Sequence, residues 1–276
     1  MALDQPGEET KKEVEMGFLD HLEELRKRLF WSAAFILLGS IGLFASKTWL
    51  FEQVLFGPRR VDFVSFRAWC WLSEKIGAGD ALCVQEISYE LINITMLGNF
   101  ATHILISSIG GFILAFPFVF WQFWLFVRPA LKGREVKSAR GIGWSSSLLF
   151  FLGVAFGYYV IAPLSLQFLG NYEIGDVEAR ISVMSYMKTI ASIALAAGLI
   201  FQLPVVVYFL SKAGLVTPAI LKTYRRHALV GILVLSAIIT PPDLTSQILV
   251  SLPVLLLYEF SIVISKRVTK RANMSH

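Results

Sequence analysis

Apolar positions along this chain gather into six runs, at 29–45, 104–127, 142–169, 190–210, 228–239 and 248–264, with polar stretches between them. The runs lack the period-two alternation of membrane β-strands, which favours helices over a barrel. A helix satisfies its own backbone groups, so it is the expected way to cross lipid. The fifth run spans twelve residues, fewer than the roughly 20 that a typical hydrocarbon core requires. It and the short sixth run are read either as spans under a locally thinned bilayer, the preferred expectation, or as a re-entrant hairpin. Between them, "IITPPDLTSQ" (238–247) holds a proline pair. Proline has no amide donor and is tolerated only in a helix's first turn, so the pair ends one helix and starts the next.

Composition agrees with the pattern: 55% of the 276 residues are hydrophobic, 16% are charged, and the mean hydropathy is +0.64. A soluble core is excluded and a polytopic membrane protein is expected. Of the 25 Lys and Arg residues, eighteen lie before run one, between runs two and three, between runs four and five, or after run six. The positive-inside rule therefore predicts cytoplasmic termini. The first seventeen residues are polar and mixed in charge, with no pattern of a cleaved signal peptide. The expected organisation is a polar tail (1–17), a six-helix domain (18–266) and a basic tail (267–276).

Two outer loops follow from that orientation. The first, about 46–101, contains the only cysteines, Cys70 and Cys83, in "CWLSEKIGAGDALC". In an oxidising periplasm a disulfide closing this loop is the expected state, with two free thiols as the alternative. The second, 170–187, reads as a solvated cap.

For chemistry, the chain offers no GxSxG, no HExxH and no His/Cys cluster, so neither a catalytic centre nor a metal or cofactor is expected. An intramembrane protease is disfavoured for the same reason. His21, His103 and His227 fall at predicted helix ends and read as interfacial residues. A proton-coupled transporter of small solutes needs ionisable groups at bilayer depth. Glu259 is the one obvious candidate, and it lies near a helix end.

Acids do occur where only bases are expected, in "FLDHLEELRKRLFW" (18–31). Asp20 and Glu23 fit a capping box, while Glu23 with Lys27 and Glu24 with Arg28 fit i,i+4 pairs worth about 0.3–0.5 kcal/mol each when exposed. In "FVRPALKGREVKSAR" (126–140), Glu135 is the single carboxylate among five bases. Each acid alone reads as a salt-bridge partner. Together on one face they suit a ligand with two guanidinium groups, because a carboxylate accepts arginine's bidentate fork.

"HLEELRKRL", "FWLFVRPALKGRE", "FQLP" and "ITPPDLTSQ", in this order, resemble the C subunit of the twin-arginine protein translocase, over about 18–266. The resemblance implies an all-α, six-helix, cup-shaped bundle in the bacterial inner (cytoplasmic) membrane. It also implies recognition of twin-arginine signal peptides of folded cargo at the cytoplasmic face, and partner subunits of the single-span TatA and TatB type. It further implies a homo-oligomeric complex and transport driven by the proton-motive force. By motif position the peptide-binding residues are Glu24 and Glu135, supported by Arg26, Phe126 and Leu131. Gln202, in "FQLP", stands where the family commonly has glutamate; it is read as a partner contact or as an internal helix–helix bond. Gln247 is expected to extend the same polar patch, and Asp243 to cap helix six with a possible docking role. Pro117, Pro163, Pro204 and Pro253, all inside apolar runs, are expected to kink the helices into a concave form.

Overall fold

A computed structural model describes residues 18–75, 77, 83, 89–127, 140–172, 180–239 and 244–273. The apolar runs are helical, with one break in the fourth. Helix α1 (Phe18–Ala45) begins well before the first apolar run, because the charged stretch continues the same helix. Asp20 lies within α1 and not before its start. Helix α2 (Val64–Lys75) belongs to the first outer loop, and α3 (Gly98–Val127) is the second run.

Helices α1 and α3 lie antiparallel along their length, with contacts running from His21–Phe126 through Phe35–Phe118 to Phe44–Phe100. Their backbones nearly touch at the middle: a Cβ added to Gly111 would fall 2.4 Å from the Ser40 nitrogen. Small residues at such a crossing let packing, the main attraction between helices in lipid, act at short range.

The third run is divided into α4 (Arg140–Phe156), a wide π-helical turn (Gly157–Ile161) and α5 (Ala162–Gly170). Pro163, in the first turn of α5, cannot donate to the turn before it, and the widened turn absorbs the mismatch. The fourth run likewise breaks into α6 (Val183–Ile200) and α7 (Leu203–Lys212), with Pro204 in the first turn of α7 and Gln202 at the break. Pro117 and Pro253 lie within unbroken helices, so only two of the four prolines interrupt the helices that carry them. Gly153 of α4 and Gly157 of the π-helical turn let this segment approach α6 closely: a Cβ on Gly157 would sit 2.8 Å from the Ala194 Cα.

A short helix α8 (Pro218–Thr223), capped by Thr217, precedes α9 (Arg225–Ile239) and α10 (Leu244–Asn273). Among the described residues four helices are long and apolar enough to cross a membrane: His21–Ala45, Gly98–Val127, Gly143–Gly170 and Val183–Lys212. Helix α9 has 15 residues, and at the usual helical rise it extends about 22 Å, short of a ~30 Å hydrocarbon core.

The described residues of the two segments that the sequence reads as outer loops carry secondary structure of their own. A π-helical segment (Trp49–Leu55) follows α1, and the hydroxyls of Tyr158 and Tyr186 donate to the carbonyls of Val54 and Leu55. These bonds tie the cap to the bundle beneath it. Strand β1 (Glu90–Ile92) pairs in parallel with β2 (Arg180–Ser182), which joins the two segments at this edge of the bundle. Cys70 and Cys83 are joined by a disulfide, with Cα atoms 4.4 Å apart. Below the cap, Leu43, Leu50, Leu55, Tyr186 and Met187 share one buried cluster. Phe116, Phe120, Phe150 and Val205 form a second cluster nearer the other end.

Candidate functional site

The charged turns of α1 place His21, Glu24 and Arg28 three and four residues apart, which puts them on one helical face. That face meets the last turns of α3. The His21 ring stacks on Phe126 at 4.4 Å between centroids. Arg28 donates from Nη2 to Glu24 Oε1 at 3.0 Å and from Nη1 to Gln122 Oε1 at 3.3 Å. Gln122 is the only polar residue in the last turns of α3, in "FWQFWLFV", and that isolation was the available signal for a cross-helix bond.

Glu24 is therefore partly shielded, at 20% side-chain exposure, and already carries a cation. Arg28 engages a single oxygen. A carboxylate has about four acceptor sites, so Oε2 remains able to accept a second guanidinium. The Arg28 Nε is buried without a hydrogen-bond partner, a cost that a stronger arrangement of the same groups would remove.

Glu23 and Arg26 point into the open on the opposite side, with exposures of 74% and 83% and an N–O distance of 3.9 Å. The expected Glu23–Lys27 pair is thus replaced by an i,i+3 contact with Arg26. At that separation and exposure it adds little stability. Glu135 and Leu131 lie outside the described residues, as does Asp243.

Gln202, at the break between α6 and α7, faces inward to α4. Its Oε1 accepts from Ser146 Oγ at 2.5 Å, and its Nε2 donates to the Ser146 carbonyl at 3.1 Å. Both ends of the amide are used within the chain, as the internal-bond reading requires. Gln247 donates instead to the Leu233 carbonyl of α9 at 3.2 Å, so the two amides have different partners.

Glu259 pairs with Arg225 at 2.5 Å, and both side chains are about half exposed. A charge so placed and so partnered does not face a midplane cavity, which removes the best candidate for proton-coupled solute transport. Nothing in local spacing announces this pair: its members are 34 residues apart on α9 and α10. Nearby, Ser211 Oγ donates to Ser265 Oγ at 2.8 Å and joins α7 to α10.

Comparison with known proteins identifies the family to which this fold belongs. A family model described as Sec-independent protein translocase protein (TatC) matches residues 20–253. The TatC protein of Blattabacterium sp. subsp. Periplaneta americana is 37% identical over 263 residues, covering 93% of this chain and 97% of that protein. The TatC protein of Helicobacter pylori is 35% identical over 250 residues, covering 90% of this chain and 87% of its own length. A crystal structure of the twin arginine translocase receptor TatC superposes with a TM-score of 0.66 at 33% identity, covering 90% of this chain and 99% of that one. A matched family model over most of the length, relatives above 30% identity and a shared fold agree: this polytopic helical membrane protein belongs to the TatC family of Sec-independent protein translocases.

Proposed function

We propose that this chain is the receptor and core subunit of a twin-arginine translocase in a bacterial inner membrane, and that Glu24 and Glu135 hold the two guanidinium groups of a signal peptide at the cytoplasmic face. Glu24 contributes the free Oε2 beside Arg28, and Phe126 and Leu131 give the peptide an apolar bed. Arg26, fully in the open, contributes to the charge pattern of the rim. Single-span TatA- and TatB-type subunits join around Gln202, Gln247 and Asp243, several copies assemble, and the proton-motive force drives transfer of folded cargo.

The observation that supports this reading best is the stack of His21 on Phe126. It fixes the face bearing Glu24 against the turn of α3 from which the segment containing Glu135 departs. Glu135 is eight residues beyond Val127 and five before Arg140.

The test is capture of a twin-arginine signal peptide by the purified chain. A hydrogen bond to a charged group is worth about 1.5–3 kcal/mol, so Glu24→Gln and Glu135→Gln should each weaken capture by roughly ten- to a hundredfold. Glu23→Gln should change it little. Unaltered capture by both of the first two variants overturns the assignment.

A further inference from the structure

At the end of the bundle remote from Glu24, a cavity of about 870 Å³ opens between the end of α1, the π-helical segment and the start of α3. Its size is at the upper end of ordinary ligand sites, which run about 300–1,000 Å³. Lys47 and Glu52 line it, both exposed and neither paired among the described residues. The carboxamides of Asn93 and Asn99 line it too, as does His103.

His103 is the unusual member. It is 8% exposed, lies flat on Phe44 at 4.0 Å and meets Phe51 edge-on at 5.3 Å. Its Nε2 is buried with no hydrogen-bond partner. An orphaned polar atom beside a bilayer has a real cost, and it makes this wall of the cavity polar without a partner of its own.

The level of the cavity fixes the class of occupant. The spans of α1 and α3 end at Ala45 and begin at Gly98, so these side chains stand at the membrane–water boundary. Exposed Trp49 beside them fits an interfacial aromatic belt. Directly below, Ile41, Phe44, Phe100 and Ile104 are exposed on adjoining faces of the two helices, and Phe44 contacts Phe100 edge-on. A polar seat above a lipid-facing apolar strip matches a molecule with a headgroup and acyl chains.

The charges choose the headgroup. Lys47 suits a phosphate, but Glu52 repels a purely anionic lipid and instead attracts an amine. We infer that this cavity seats the headgroup of a phospholipid carrying both a phosphate and a protonated amine, drawn from the leaflet opposite the Glu24 end. Lys47 and the two asparagines take the phosphate, Glu52 takes the ammonium, and the chains lie over Phe44 and Phe100.

The test is native mass spectrometry of the full chain in mild detergent, titrated with phosphatidylethanolamine, with phosphatidylglycerol, and with the water-soluble glycerophosphoethanolamine. Phosphatidylethanolamine should be retained about tenfold better than phosphatidylglycerol, the value of one charge-assisted hydrogen bond. Glu52→Gln should abolish that preference, Glu52→Lys should reverse it, and Lys47→Ala should lower retention of both lipids. These side chains are exposed, so the variants fold. Equal retention of the two lipids by the wild type, or charge variants that retain the wild-type pattern, overturns the proposal. Displacement of the bound lipid by glycerophosphoethanolamine overturns it in favour of a small-molecule site.

Discussion

Replacing Ser146 with Ala, Gln202 with Leu, and both together tests whether the amide at the α6–α7 break serves the fold of the isolated chain. The two bonds between these residues, at 2.5 and 3.1 Å, join segments 56 residues apart. Cross-helix hydrogen bonds in membranes average about 0.6 kcal/mol and reach about 1.7. Ser146 is wholly buried, so Gln202→Leu also strands its hydroxyl at up to ~1–3 kcal/mol. That cost is reduced because a helical serine can turn back to the carbonyl one turn earlier, as Ser147 does to Gly143 at 2.9 Å. The expected loss is about 1–2 kcal/mol for Gln202→Leu and about 1 for Ser146→Ala, with a coupling near 1 kcal/mol in the double variant. Reversible unfolding of the purified chain in mixed detergent micelles, followed by circular dichroism, measures all three. Additivity within ~0.3 kcal/mol refutes the internal bond as a stabilising contact. If Gln202→Leu leaves the isolated chain unchanged but abolishes co-purification of single-span subunits, the amide works outward instead.

Other parts of the structure make equally concrete demands. Gly157→Val should cost about 1–3 kcal/mol by overpacking, since the new Cβ would meet Ala194 and Ala197 within 2.9 Å; wild-type thermal stability for this variant contradicts the close α4–α6 crossing. Reduction should shift the gel mobility of the wild type and leave Cys70→Ser unmoved, because the disulfide closes a separation of 13 residues; loss of a loop of that size removes about 3 kcal/mol of constraint. An unshifted wild type argues for free thiols. In the outer cap, burial pushes the Tyr89 hydroxyl up from 10.0 to about 12, opposed by nearby Arg59. A raised folded pKa means the contribution is complete below pH 10 and is lost as pH climbs toward 12. Alkaline titration of cap stability should show a smaller loss in Tyr89→Phe than in the wild type, and an equal loss in the two refutes the role of Tyr89.

The spanning helices were legible because bilayer thickness imposes a length and lipid imposes an unbroken apolar surface. Their interruptions were half legible. Pro163 and Pro204 mark true breaks, whereas Pro117 and Pro253 are carried inside helices. The same residue type gives both outcomes because neighbouring helices decide whether the freed carbonyl is met. The spacing of Asp20 and Glu23 did not locate the start of α1, because Asp20 is already helical. Glu24–Arg28 followed from local spacing, while Arg28–Gln122, Gln202–Ser146 and Arg225–Glu259 did not. Those partners are brought together by the packing of whole helices. The outer cap was the least legible part: a three-residue parallel pairing between segments 90 positions apart leaves no periodic trace.

A charge swap tests the central claim most directly. The chain carrying Glu24→Lys and Glu135→Lys should lose capture of a twin-arginine signal peptide and gain capture of the same peptide with both arginines replaced by glutamates, each change by about tenfold or more. Failure of the swapped chain to prefer the swapped peptide, with its helical content intact, contradicts the account.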